Sequence, residues 1–239
     1  MKIIRERLIE GAKRAQGVTI VVDVFRAFTT TPLFFYYGAK KVVFVGTPEE
    51  AFSVKSHFSD TVLTGEINEE IIPGFDLGNS PSEIIKKPEG FLNSKIVIQR
   101  TTAGVMGVIS ALDKAEKVIL GSYVMAGAIA KYILSEKPVP EIVTIVAMGS
   151  RGIVRAPEDE GCADYLEHLL QGKSYDHFGN LRDIVFNETA QKFLRREKVY
   201  LPSEDPVFCL QKDLFDFVLI AEMEDGLVTV TKKDTGEKL

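Results

Sequence analysis

The sequence predicts an α/β fold built on a mainly parallel sheet. Three observations carry that expectation. Valine- and isoleucine-rich runs of four to seven residues alternate with longer stretches of helical character. The runs are apolar throughout, as strands covered on both faces must be. Most of the Arg, Ser, Thr and Gly punctuation in the first two-thirds of the chain follows directly on those runs. Strand–helix alternation of this kind builds βαβ units. At 239 residues, 45% hydrophobic and 26% charged, the chain can bury roughly 70–75% of its unfolded surface without disulfide or metal staples.

In chain order, strands are predicted at Val18–Val24, Lys41–Val45, Thr61–Thr64, Lys95–Gln99, Lys117–Leu120 and Glu141–Ala147. Helices are predicted between them. Thr31–Tyr37 runs into Gly38, a suitable C′ glycine, and Thr47-Pro48-Glu49-Glu50 supplies a cap, a first-turn proline and early acids. Residues 103–115 and 123–135 are rich in small side chains that permit close packing on a sheet. Glu158–Gln171, Asn187–Arg196 and Pro202–Leu214 complete the helices, and Phe217–Met223 and Leu227–Thr231 flank a Glu-Asp-Gly turn as a C-terminal β-ribbon. We read a single domain, 1–239, made of two similar α/β halves that join near 85–95. The ribbon either finishes the sheet or pairs with a second copy. The charged end, Lys232–Leu239, is expected to fray.

Composition narrows the function. Lys plus Arg number 29 and Asp plus Glu 34, a net charge of −5 with no basic block, which argues against nucleic-acid partners and a polybasic membrane surface. Two cysteines, Cys162 and Cys209, are too few for a disulfide framework and make no zinc pair. Charges at Lys2, Arg5, Glu6 and Arg7 stand where a signal peptide's apolar core would begin, and no apolar run approaches the length of a membrane span. The expected location is the cytoplasm. Homodimerisation is the expectation for a small enzyme.

In parallel sheets, ligands bind where loops and helix N-termini gather at the carboxyl ends of strands. Those positions hold Asp23 to Thr31 after the first strand, Gly65-Glu66 and Gly74–Pro81 after the third, and Arg100–Gly104 after the fourth. Gly121-Ser122 follows the fifth strand; Gly149–Gly152 and Pro157–Cys162 follow the sixth. Loops opening helices present free N–H groups and hydroxyls to anions, and Arg26, Arg100, Arg151 and Arg155 supply forked donors for oxyanions. Asp23, Glu66, Glu158 and Asp159 could hold a hard divalent cation, Mg²⁺ above all. Together these suit phosphate-ester chemistry on a small anionic phosphorylated substrate. Duller roles compete: Asp23, Thr29–Thr31 and Thr101–Thr102 also suit helix caps, and Glu158-Asp159 complements a helix dipole.

Several phosphatase mechanisms fail on sequence. Phe25 replaces the second acid of an Asp-x-Asp motif; neither cysteine is followed by Arg at the sixth residue; no Arg-His-Gly, P-loop or Gly-x-Gly-x-x-Gly occurs. His57, His168 and His177 lie away from these loops, and Cys162 suits a small packing role.

Asp23–Thr31, the octapeptide Gly74–Pro81, Arg100–Gly104, Gly121-Ser122, Gly149–Gly152 and Glu158-Asp159 with Cys162-Ala163 occur in an order, and at separations, that resemble the 2-phosphosulfolactate phosphatase family over about residues 15–225. The resemblance implies a three-layer α/β/α protein of two similar halves. It also implies a Mg²⁺-dependent phosphatase converting 2-phospho-3-sulfolactate to 3-sulfolactate and phosphate, a step of coenzyme M biosynthesis. On this reading the metal sits among Asp23, Glu66, Glu158 and Asp159. Arg26, Arg100 and groups near Thr29–Thr30 and Thr101–Gly104 hold the phosphate, while Arg151, beside Ser150, takes the carboxylate or sulfonate with Asn79 and Ser80. Water or Asp23 itself is the nucleophile. The rivals are an enzyme on another small phospho-carboxylate, including a lyase or isomerase, and a non-catalytic anion-binding module.

Overall fold

The computed structural model describes residues 1–235. Its elements are β1 (Lys2–Arg7), α1 (Leu8–Ala12), β2 (Val18–Val22), α2 (Ala27–Tyr36), β3 (Lys41–Phe44), α3 (Pro48–Lys55), β4 (Thr61–Ile67), β5 (Glu70–Ile71), α4 (Pro81–Ile85) and β6 (Ile96–Arg100). There follow α5 (Gly104–Ala111), β7 (Lys117–Gly121), a 3₁₀ turn at Tyr123–Met125, α6 (Ala126–Ser135), β8 (Ile142–Ala147), α7 (Pro157–Gln171), α8 (His177–Val185), α9 (Glu188–Leu194), α10 (Asp205–Cys209), β9 (Phe217–Glu224) and β10 (Leu227–Asp234).

One sheet takes all the strands in the order β1-β8-β2-β7-β9-β10-β3-β6-β4-β5. β1, β8, β2 and β7 pair in parallel, as do β3, β6 and β4. Helices α6 and α7 pack together against β2, β7, β8 and β9, while α1 and α5 pack against β2, β7 and β8. The mainly parallel α/β architecture expected from sequence is the one observed.

The ribbon is neither an appendage nor a docking strand. β9 pairs antiparallel with β7 and β10 antiparallel with β3, so the hairpin joins the two parallel blocks from within. Val218, Leu219, Ile220, Val228 and Val230 are buried there, which requires cover on both faces. Lys232–Asp234 complete β10, and residues 236–239 lie outside the described residues. Three successive antiparallel pairings, β7 with β9, β9 with β10 and β10 with β3, invert the second block, so that β3, β6 and β4 run opposite to β2, β7 and β8. Carboxyl ends from both blocks nevertheless meet around α2. Ser122, after β7, donates to the Phe28 carbonyl at 2.6 Å, and Thr31 lies 2.9 Å from Gln99 near the end of β6. The Ser122 bond has a covalent cause: Pro32 lacks the N–H that Phe28 would otherwise receive.

Three further differences have local reasons. β1 carries Lys2, Arg5, Glu6 and Arg7 and no apolar run. It forms an edge strand beside β8 that is held to α7 by Arg5 with Asp164 and Glu167, and by Arg7 with Glu160. α8, which no apolar periodicity announced, starts on an Asp176 cap that receives the Gly179 N–H. The helix expected at Pro202–Leu214 shrinks to Asp205–Cys209 around Pro206. Among the described residues no helix is long and apolar enough to cross a membrane.

Candidate active site

The loops after β2, β4, β6 and β8, together with α7 and α9, line a narrow cleft that is partly open to solvent. It brings together Asp23, Arg26, Glu66, Asn79, Thr102, Ser150, Arg151, Glu158 and Asp159 from the expected set.

The four acids are buried, and each is held by main-chain donors or hydroxyls. Asp159 spans two loops, accepting the Val24 N–H on Oδ1 and the Gly149 N–H on Oδ2, each at 2.7 Å. Asp23 caps the start of α2 through the Ala27 N–H at 3.1 Å. Glu66 ties β4 to the loop after β6, accepting from the Thr102 N–H at 2.5 Å and the Thr102 hydroxyl at 2.9 Å, and it also receives the Glu69 N–H at 2.6 Å. Glu158, in the first turn of α7, accepts from Thr189 at 2.9 Å. Crowded like charges with little water are costly. Burial, then repulsion from Glu66 and Glu158, pushes Asp23 up to about 7 despite the Ala27 bond. Burial raises Glu158, and burial followed by Asp23 and Glu158 raises Asp159 well above the ordinary carboxylate range.

Arg26 is buried and largely committed. Nη1 donates to Asp205 at 2.8 Å and to the Tyr200 carbonyl at 3.0 Å, Nη2 donates to the Glu69 carbonyl at 3.4 Å, and the Phe193 ring lies 5.2 Å from the guanidinium carbon. Of five N–H donors, the Nε–H and one on Nη2 have no partner among the described residues. Arg151, in a left-handed turn at φ +55°, makes no side-chain hydrogen bond or ion pair there. The Thr30 hydroxyl lies 2.9 Å from Asn79 Oδ1, which leaves the Asn79 amide nitrogen for the cleft.

The other expected residues stand behind this lining or away from it. Arg100 turns its guanidinium to the Glu66 carbonyl at 2.7 Å and the Gly46 carbonyl at 3.4 Å. Thr29 bonds the Val24 carbonyl, and Thr101 accepts the Val105 N–H as a cap. Ser80 caps α4 and donates to Asp205 at 2.9 Å. Gly104 lies so close to Asp23 that a Cβ there would fall 2.7 Å from Oδ2. Arg155 is exposed and pairs with Glu160.

Phe25, Ala103 and Gly149 join the cleft from loops expected there, and Asn68, Glu69, Thr189, Lys192 and Phe193 join it without having been expected. Asn68 and Glu69 sit at the tip of the β4–β5 hairpin, just after Glu66. Thr189 and Lys192 come from a short polar helix whose place over the cleft follows from burial of Ala190 and Phe193; no local signal marks them.

Among the described residues no three His, Cys, Asp or Glu side chains are arranged to hold an ion as they stand. The donor chemistry nonetheless fits Mg²⁺. It is made of carboxylate oxygens, and Mg²⁺ keeps several waters, taking only one or two carboxylates together with substrate phosphate. The crowding that raises Asp23, Glu158 and Asp159 is the electrostatic cost that a divalent cation relieves.

Residues 3–224 match the 2-phosphosulpholactate phosphatase family model. A Bacillus subtilis protein named probable 2-phosphosulfolactate phosphatase is 31% identical over 216 residues, covering 90% of this chain and 91% of that one. Proteins of the same name from Clostridium perfringens (31% over 256 residues, 99% and 98% coverage) and Thermoplasma volcanium (30% over 214 residues, 89% and 93%) match at similar levels. With nearly its whole length matched, the chain belongs to the 2-phosphosulpholactate phosphatase family.

Proposed function

We propose that the chain is a Mg²⁺-dependent phosphoric monoester hydrolase that converts 2-phospho-3-sulfolactate to 3-sulfolactate and phosphate, the coenzyme M biosynthesis type of step, in the cytoplasm. Assembly as a homodimer belongs to the same reading. The observation that carries it is the charge inventory of one cleft: Arg26, Arg151 and Lys192 against Asp23, Glu66, Glu69, Glu158 and Asp159. Five acids crowd beside three bases, and the three whose carboxyls are pushed up are relieved when a cation takes the place of their protons. A pure anion binder has no use for that excess of acid.

Asp23, Glu66, Glu158 and Asp159 would hold Mg²⁺, directly or through water. The ion would neutralise phosphate charge and orient its oxygens. Arg26 presents its two remaining donors to the phosphate, held in register by Asp205 and Phe193. Asp23, which lines the cleft beside the other acids, would orient an attacking water and take its proton. Arg151 offers a planar fork that matches a carboxylate, and the Asn79 amide adds a donor.

Purified protein should release phosphate from racemic 2-phosphosulfolactate faster than from 2-phospholactate or 2-phosphoglycerate, and EDTA should abolish release. Faster release from a non-sulfonated acid would move the substrate. No release from any of them would overturn the phosphatase reading, and a trapped aspartyl-phosphate would replace water with Asp23 as nucleophile. The approach of Gly104 to Asp23 gives a second test. Gly104→Ala should lower kcat/KM about tenfold to a hundredfold by displacing the carboxylate while far-ultraviolet circular dichroism stays unchanged. Wild-type turnover in that variant would show that the contact is immaterial.

A further inference from the structure

The cleft contains one acid that the phosphatase chemistry does not use. Asn68 (φ +54°) and Glu69 (φ +77°) form the two-residue tip of the β4–β5 hairpin. Both positions of such a turn normally go to Asn, Asp or Gly. The Glu69 main chain works for the site, its N–H on Glu66 and its carbonyl on Arg26. Among the described residues its carboxylate bonds only one partner, Lys192 on α9, and does so across the cleft. Both side chains stay part-exposed, Lys192 at 22% and Glu69 at 33%. Neither is consumed inside the protein as Arg26 is by Asp205.

We infer that Lys192 is the specificity-determining cation for a sulfonate on the substrate, and that Glu69 occupies its place until that sulfonate displaces it. The inference rests on the phosphatase reading above and deepens it. Three cations line the cleft. Arg26 has two donors left and sits beside the carboxylates that would carry the metal and the phosphate. Arg151 is unengaged among the described residues and offers a flat fork, which suits a carboxylate. Lys192 offers a point charge with three donors that needs no planar partner, which suits a tetrahedral sulfonate. Its α9 neighbours fix its position: Thr189 is bound to Glu158, and Phe193 packs against Arg26 and Phe25. An exposed lysine without Glu69 would attract any small anion. The internal carboxylate sets a threshold that only an anion tethered by its phosphate passes, a form of discrimination by competition.

Opposite signs from the two ends of one ion pair test this. Breaking a merely structural pair from either side does similar damage. If Glu69 is instead a competitor, Lys192→Met and Glu69→Gln move the enzyme in opposite directions. With Mg²⁺ present, Lys192→Met should reduce the ratio of kcat/KM for 2-phosphosulfolactate over 2-phospholactate about tenfold, the size of one charge-assisted hydrogen bond, and should weaken 3-sulfolactate binding in calorimetry. Lys192→Arg should restore most of the ratio, which separates charge loss from misfolding. Glu69→Gln should lower KM for 2-phosphosulfolactate and tighten 3-sulfolactate. Shifts of the same sign in both variants, or equal losses on the two substrates in Lys192→Met, would overturn the inference and leave the phosphatase reading intact. Opposite-signed shifts in 3-sulfolactate affinity without any phosphate release would keep the sulfonate site and overturn the phosphatase. Absence of both binding and release would overturn both.

Discussion

Asp205→Ala should cost about 3–5 kcal/mol of stability, the range for removing one partner of a buried ion pair, and lower the melting temperature by about 10 °C. Asp205 is fully buried and its carboxylate does three jobs. Oδ2 accepts from Arg26 at 2.8 Å, while Oδ1 accepts from the Ser80 hydroxyl at 2.9 Å and the Ser82 N–H at 3.1 Å. Truncation strands a buried guanidinium and two donors at once. It should also release Arg26 from its orientation, so turnover falls further than stability alone explains. The pair as a whole is not required for folding, because apolar groups of similar size often replace a buried pair at no cost. The double variant Arg26→Met/Asp205→Leu should therefore recover much of the lost stability while staying inactive. Urea denaturation of the single and double variants checks both statements. A midpoint for Asp205→Ala equivalent to less than about 1 kcal/mol of loss would show that Arg26 finds another partner, and the account of its anchoring would be wrong.

The parts of this protein that could be read from sequence are those whose cause is local. Val18–Val22, Lys117–Gly121 and Ile142–Ala147 announce themselves because both faces are covered, which demands unbroken apolar runs. The acids and arginines after strands were legible because each parallel block gathers its own carboxyl-end loops, whereas the meeting of two oppositely directed blocks at one cleft is a tertiary fact. Legibility stopped where a tertiary partner decides. β1 is a strand because α7 offers Asp164, Glu167 and Glu160 to its arginines. The ribbon's alternation announces a hairpin but not the gap between β7 and β3 into which it fits. Arg26 and Arg100 look equivalent in sequence, each just past a strand. Asp205 and Phe193 point one guanidinium at the cleft, while the Glu66 and Gly46 carbonyls draw the other away. Asp205 and Lys192 have no signature at all. One lies in a five-residue helix and the other in a seven-residue one, and both owe their roles to elements more than a hundred residues earlier.

The metal-free protein should become more stable as the pH falls from 8 to about 5.5, the reverse of ordinary carboxylate behaviour. A carboxyl whose pKa is higher folded than unfolded binds more protons in the native state. Its contribution is therefore fully present below the unfolded value and is lost as pH rises through the folded one. For Asp23 the window runs from 3.8, the ordinary value, to about 7. Glu158 and Asp159 are raised too and act in the same direction. Asp23 alone, ionised at pH 8 and protonated at 5.5, is worth about 2 kcal/mol by linkage, or roughly 4–8 °C in melting temperature for a chain of this size. Mg²⁺ competes with those protons. It should stabilise the protein strongly at pH 8 and weakly at 5.5, so that saturating Mg²⁺ flattens or inverts the pH dependence seen in EDTA. Asp23→Asn should remove its share of the pH dependence and much of the Mg²⁺ response together, because one carboxylate is responsible for both. Thermal scans in EDTA and in Mg²⁺ across this range decide the matter. A melting temperature in EDTA that falls steadily from pH 8 to 5.5, with no response to Mg²⁺ at either end, would mean that the cleft's acids are ionised and at ease without a cation, and the metal would lose its physical rationale. A rise in EDTA that Mg²⁺ cancels would tie the crowding of Asp23, Glu158 and Asp159 directly to the ion.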